Sequence, residues 1–139
     1  MPLFDDTKDE YKLLFGWVLN THGVTRTVIL TKKYAIKLPA LHYGWKNTLW
    51  GLLANMQEAS FSSLVKESEG KLCPVLFNIP GGWMTIQPRC EPMEFQEFLE
   101  FYSELKNWKQ LDNFDIPCED KHDSFGRLNG KIVCFDYGT

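Results

Sequence analysis

The sequence predicts a single α+β domain: an antiparallel sheet with a helix against it, followed by a smaller helix-and-hairpin part. Three observations carry this. The chain has 139 residues, the size of one compact domain. Its 44% hydrophobic content is ample for a packed core and unlike that of a disordered chain. Three pairs of β-rich runs, each pair joined by a turn signal, are separated by single stretches of helical periodicity, the alternation of an α+β domain. No internal repeat, low-complexity segment or linker divides residues 1–139.

The elements follow in chain order. "TVILT" (Thr27–Thr31) and "YAIKLPA" (Tyr34–Ala40) are rich in β-formers and meet at Lys32-Lys33, which predicts a hairpin. Asn47–Glu67 predicts a helix, with Leu49, Leu53, Met56 and Leu64 at helical spacing and Leu52 beside them as its core stripe. "CPVLFNIP" and "WMTIQPRC" are strand-like runs joined by Pro80-Gly81-Gly82. Glu94–Leu111 predicts a second amphipathic helix, its stripe being Phe95, Phe98, Tyr102, Leu105 and Trp108, with Pro92 just upstream. "FGRLNGKIVCFDYG" predicts a last hairpin around Asn129-Gly130, the dipeptide that most easily adopts a type I′ turn. Its strand "KIVCFDY" is expected to pair with "FGRL", and the hairpin to pack between the two helices and close the core, with Tyr137 supplying buried area.

Composition narrows the function class. A net charge of −3 and a pI near 5.6 disfavour direct nucleic-acid binding, which needs a basic footprint. Of the four cysteines, Cys73, Cys90, Cys118 and Cys134, none forms a C-x-x-C pair or stands at zinc-ligand spacing to His22, His42 or His122. Cys73 and Cys134 lie in apolar runs and read as buried thiols. The N-terminus "MPLFDDTKDE" is acidic and polar, unlike a signal peptide. No apolar run approaches the roughly 20 residues that span a bilayer. The expected setting is a reducing cytoplasm.

Four features along the chain suit chemistry. Lys37 alternates into an apolar strand, where an unpaired ammonium is costly to bury. It either snorkels at the strand end or faces the phosphates of a nucleotide. Glu58 shares a largely apolar helical stripe with Ala54, Phe61 and Val65, so it is either a solvated edge glutamate or a carboxylate in need of a partner such as Lys37. "GGWMTIQPRCEP" runs through Gln87-Pro88-Arg89 into a helix, as an ordinary connection or as a hinge for a base. "EDKHDSFG" with the closing "DYG" would bring Glu119, Ser124 and Asp136 together, if it is more than a polar loop before a hairpin.

In this order the features resemble the kinase-like fold, especially small bacterial and phage members related to aminoglycoside and protein kinases. "GVTRTVIL" is similar to the hairpin that covers the phosphates, "YAIKLP" to the strand with the phosphate-anchoring lysine, and "ANMQE" to the helix whose glutamate pairs with it. "MTIQPRCEP" resembles the hinge strand, "EDKHDS" the catalytic loop and "DYG" the magnesium-holding D-F-G. The resemblance runs from about Gly23 onward. It implies a kinase N-lobe-like antiparallel sheet with a helix, plus a minimal C-terminal helix and hairpin, most of the C-terminal lobe being absent. It also implies nucleotide contacts at Lys37, Glu58, Gln87 and Arg89, metal contacts at Ser124 and Asp136, and catalytic roles, in an active enzyme, for Glu119, Asp120 and Asp136.

The departures point away from catalysis. Glu119 stands where the family has its aspartate base, and a displacement of about an ångström can cost on the order of a hundredfold in rate. Ser124 stands where the family has a magnesium-binding asparagine. Only Gly23 remains of the glycine-rich covering loop. The expectation is therefore a non-catalytic protein-binding factor without a required cofactor. By analogy it would be a phage or mobile-element protein that inhibits or modulates a host protein, such as a defence or CRISPR component, in the host cytoplasm. Tyr43, Trp45 and Trp50, in an aromatic-rich loop segment, are the expected protein contacts. The alternative is an ATP- and magnesium-dependent phosphotransferase, or an ATP-binding switch, using Lys37, Glu58 and Asp136. In the non-catalytic case Asp136 is expected to rest on backbone N–H groups or on a cation such as Lys37.

Overall fold

The computed structural model describes residues 10–13, 16–21, 23, 25–62, 70–111 and 115–137. It is an α+β arrangement with two antiparallel sheets. The larger has six strands: β1 (Glu10–Lys12), β2 (Val18–Asn20), β3 (Arg26–Leu30), β4 (Tyr34–Pro39), β5 (Phe77–Ile79) and β6 (Met84–Pro88). They lie in the order β1-β2-β3-β4-β6-β5, and helix α1 (Trp45–Ser62) crosses from β4 toward β5. The smaller sheet has the order β7-β8-β9, from Glu91–Pro92, Phe125–Leu128 and Lys131–Cys134.

The turns form where local chemistry requires them. Lys32-Lys33 closes the β3–β4 hairpin, with Thr31 N–H donating to Tyr34 O (2.9 Å) and Tyr34 N–H donating to Thr31 Oγ1 (2.9 Å). Asn129 and Gly130 both have positive φ, 55° and 80°, as a type I′ turn demands, and Leu128 pairs with Lys131 across it. β1 and β2 extend the large sheet in a region for which no strand was expected from sequence.

The second predicted helix is two helices, α2 (Phe95–Tyr102) and α3 (Leu105–Lys109), broken at Ser103-Glu104. The break re-aims the apolar stripe. Phe98, Phe101 and Leu105 are buried, whereas Phe95 and Tyr102, expected in the core, are exposed. Phe125 of β8 lies at the centre of this core, with ring centroids 6.0 Å from Phe98, 5.5 Å from Phe101 and 5.6 Å from Trp108. Leu72, Met93, Ile116 and Tyr137 complete it. The terminal hairpin thus packs against α2 and α3, and its strand stops at Cys134, short of Tyr137.

Cys134 is not the free thiol that its apolar run suggested. It forms a disulfide with Cys118, the Cα atoms being 6.4 Å apart. The pairing joins residues whose proximity arises only when β9 folds back beside the segment before β8, so no C-x-x-C spacing could announce it.

α1 is also turned from its expected orientation. Leu49, Leu53 and Met56 are 48%, 47% and 41% exposed, whereas the buried face is Gly51, Ala54, Asn55 and Glu58. Leu64 and Val65 lie outside the described residues. Small residues let α1 approach the sheet closely: a Cβ added at Gly51 would lie 2.1 Å from Thr25 O, an atom already accepting from Ala40 N–H (2.8 Å). Gly51→Ala is therefore expected to destabilise the protein by about 1–3 kcal/mol through overpacking. This reverses the usual gain of about 1 kcal/mol for Gly-to-Ala within a helix. Equal or higher stability in urea titration would show that α1 is free to move outward.

Candidate functional site

A cleft of 920 Å³ lies between the strands β2–β4 of the large sheet and the segments that carry residues 88–93, 121–125 and 135–136. At its inner end four charged side chains meet. Lys37 comes from β4, flanked in register by Val28 of β3 and Thr85 of β6. Glu58 comes from the buried face of α1, one turn after Asn55. Arg26 begins β3, and Asp136 follows β9.

Lys37 Nζ donates to both Glu58 oxygens, at 3.0 and 3.1 Å, and to the backbone carbonyl of Phe135. An ammonium has three N–H donors, so these contacts account for all of them. Glu58, fully buried, also meets Arg26 Nη1 at 2.7 Å through Oε1. Arg26 Nη2 is ion-paired with Asp136 Oδ1. Two cations thus face two carboxylates, and each buried charge has counter-charge beside it.

Asn55 frames the cluster: its Nδ2 donates to Lys37 O (3.2 Å) and Gly82 O (2.9 Å). Its Oδ1 is 3.4 Å from both Arg26 Nη1 and Thr85 Oγ1. Burial lowers the Lys37 pKa below that of an ordinary lysine, with Glu58 pulling the other way. For Arg26, burial opposes the charge, but Glu58 and Asp136 together outweigh it and raise the pKa.

The structure brings Lys37, Glu58 and Asp136 together and separates them from other residues singled out in the sequence. Asp136 rests on a cation, one of its two expected kinds of partner, and that cation is Arg26 rather than Lys37. Glu119 and Asp120 do not line the cleft: Glu119 pairs with Lys121 (2.7 Å) and Asp120 with Lys109 (2.7 Å) at exposed positions. Ser124 is wholly buried outside the cleft lining, and its Oγ has no hydrogen-bond partner among the described residues. Of the expected meeting of Glu119, Ser124 and Asp136, one part forms: Ser124 O accepts from Phe135 N–H (3.0 Å), beside Asp136, while the serine hydroxyl is buried off the cleft lining and Glu119 is turned outward. Gln87 and Arg89 do line the cleft. Gln87 Nε2 donates to Cys73 O (3.3 Å), and Arg89 Nη1 donates to Thr31 O (2.9 Å).

Of the two candidate magnesium ligands, Asp136 is in contact with the Arg26 guanidinium, and Ser124, held beside it by the Phe135 N–H to Ser124 O bond (3.0 Å), has its hydroxyl buried. Among the described residues no three His, Cys, Asp or Glu side chains converge as a metal site. No helix among them is long and apolar enough to cross a membrane.

Sequence reasoning missed Arg26, Asn55 and Asp123, the last of which lines the cleft. A signal existed for the first two. Arg26 opens an apolar strand, and Asn55 stands three residues before Glu58, on the same helix face.

The second notable surface is the outer face of α1. Tyr43 and Trp45, just before and at its start, and Trp50 within it are exposed, as are Leu49, Leu53 and Met56 at i, i+4 and i+7. No family model, curated protein or solved structure matches the chain.

Proposed function

We propose that this chain is a non-catalytic protein-binding factor on a kinase-like fold. The observation that carries the binding role is the inverted polarity of α1. Leu49, Trp50, Leu53 and Met56 point outward while Asn55 and Glu58 point inward. Contiguous exposed apolar surface of this kind marks interaction sites in soluble proteins. Tryptophan and tyrosine are the side chains that most often anchor such contacts.

The kinase-like part of the reading is supported by the order of the elements around the cleft. The lysine strand, the glutamate helix and the aspartate after the terminal hairpin converge there, as the sequence motifs would require. The absence of phosphoryl transfer is supported by the internal use of those charges. An incoming phosphate finds no free donor on Lys37, and Asp136 already has a cation. The partner class that accompanies the reading is a host protein, with the chain acting as a phage or mobile-element factor that modulates it.

A second reading, a nucleotide-binding switch, is favoured by the size of the cleft and by the basic side chains of Arg26, Lys37, Arg89 and Lys121 along it. Thermal denaturation with and without Mg-ATP separates the two. A ligand at about 100 times its dissociation constant adds about 2.7 kcal/mol. The expected result is no shift and no phosphate transfer. A shift without turnover would establish the switch, and transfer lost in Asp136→Ala would establish an enzyme.

The binding face is tested with Leu49→Glu combined with Leu53→Lys. The new pair sits at i, i+4 in the favourable orientation. Both positions are exposed, so stability is expected within about 0.5 kcal/mol of wild type. Proteins retained from host extract by the wild type should be lost on the double variant. An unchanged capture profile would remove α1 from the proposal.

A further inference from the structure

Two cysteines face each other in the wall of the cleft. Cys90, between β6 and β7, is half-buried and lines the cleft. Cys73, between α1 and β5, is buried behind it. Their sulfurs are 3.5 Å apart, and both lie near the carbonyl of Pro88, at 3.7 Å from Cys73 and 3.8 Å from Cys90.

We propose that Cys73 and Cys90 are a redox-active dithiol, which a small-molecule disulfide of the glutathione class converts into a second intramolecular disulfide. The geometry supports it first. A disulfide bond is about 2.05 Å long, so closing it needs about 1.5 Å of relative sulfur movement. Accessibility then divides the roles. A reagent entering the cleft meets Cys90 and not Cys73. Electrostatics divides them in the same direction. The hydrogen bond between the two sulfurs lowers the Cys90 pKa, with burial opposing and the Lys37 charge assisting. The same contact, followed by burial, raises that of Cys73. Thiolate character favours the attacking sulfur.

The exchange has two steps. Cys90 thiolate attacks one sulfur of the reagent. A Cys90–S–S–R bond forms, the reagent's S–S bond breaks, and one R–S⁻ leaves. Cys73 then gives its proton to that released thiolate, and its Sγ attacks Cys90 Sγ. The protein disulfide forms and the second R–S⁻ leaves, taking a proton from water or buffer. Two protein thiols are oxidised and one small disulfide is reduced to two thiols. The new bond would tie the connection entering β5 to the segment between the two sheets. Gln87 Nε2 and Tyr137 Oη already donate to Cys73 O there.

The test uses the intact folded chain in buffers of graded oxidised-to-reduced glutathione ratio. After alkylation and digestion, peptide mass mapping distinguishes this pair from Cys118–Cys134. Cys73 and Cys90 should lose alkylation together, appear as one cross-linked peptide, and recover when the ratio is reversed. Cys73→Ala and Cys73→Ser should each stop at a glutathione adduct on Cys90, and Cys90→Ser should leave Cys73 unmodified. The proposal is overturned if wild type also stops at the Cys90 adduct, or if both thiols remain alkylatable at every ratio.

Discussion

Glu58→Ala is expected to cost about 3–5 kcal/mol, the usual penalty for removing one partner of a buried ion pair. The physical reason is that Glu58 serves two cations. Lys37 donates to both of its oxygens, and Arg26 Nη1 meets Oε1 at 2.7 Å. Without it, a wholly buried ammonium keeps only the Phe135 carbonyl, and Arg26 keeps Asp136. Lys37→Met should cost less, because Glu58 would still be neutralised by Arg26 and the methionine stem fills similar space. Urea titration of the two variants checks the ranking. Total stabilities are about 5–15 kcal/mol, so Glu58→Ala could be largely unfolded before denaturant is added. If it matched Lys37→Met, or stayed within about 1 kcal/mol of wild type, the shared-carboxylate account would be wrong.

Tyr137→Ala is the second large effect, at about 3–5 kcal/mol, the range for truncating a buried aromatic side chain. Tyr137 is only 2% exposed, belongs to the core around Phe125, and donates its hydroxyl to Cys73 O at 2.6 Å. Tyr137→Phe should lose only about 1 kcal/mol, because Gln87 Nε2 still donates to the same carbonyl. The hydroxyl also gives the protein an alkaline limit. Burial, with the Glu58 charge adding to it, raises the Tyr137 pKa well above its ordinary value of 10.0. Above pH 10 the unfolded chain therefore releases a proton that the folded chain retains, and stability falls as pH rises. Lys37, with its lowered pKa, acts in the opposite sense below 10.5, but it is present in both proteins and cancels in their comparison. Stability measured from pH 8 upward should fall more steeply for wild type than for Tyr137→Phe. Parallel curves would mean that the hydroxyl is solvated. Of these two neighbours, Asp136 pairs with Arg26 and Tyr137 fills the core.

The hardest feature to read was the orientation of α1. Leu49, Leu53 and Met56 form a proper helical stripe, and periodicity assigns such a stripe to the core. Periodicity does not say which of two adjacent stripes a sheet will accept. Here the sheet presents Arg26 and Lys37, which need a carboxylate, and it approaches too closely for a bulky side chain at position 51. The face with Gly51, Ala54, Asn55 and Glu58 meets both demands, and the leucines are left outside. The Glu94–Leu111 stretch failed for a related reason. A break at Ser103-Glu104 changes which residues share a face, and no proline or glycine marks it.

What could be read from the chain alone was whatever neighbours along it decide. The Lys32-Lys33 and Asn129-Gly130 hairpins depend on backbone preferences of two or three residues, and they form where expected. The Lys37–Glu58 pair was legible because each charge stood out against an apolar pattern in consecutive elements. Only the tertiary structure decided the rest. Arg26 pairs with Asp136 across 110 positions, Cys118 finds Cys134, and Ser124 sinks out of the cleft. In each case several candidate partners compete in space, and the winner is set by distance and burial after the sheets have come together. A buried charge takes the nearest compensating group that the fold brings to it, and sequence spacing carries no measure of that distance.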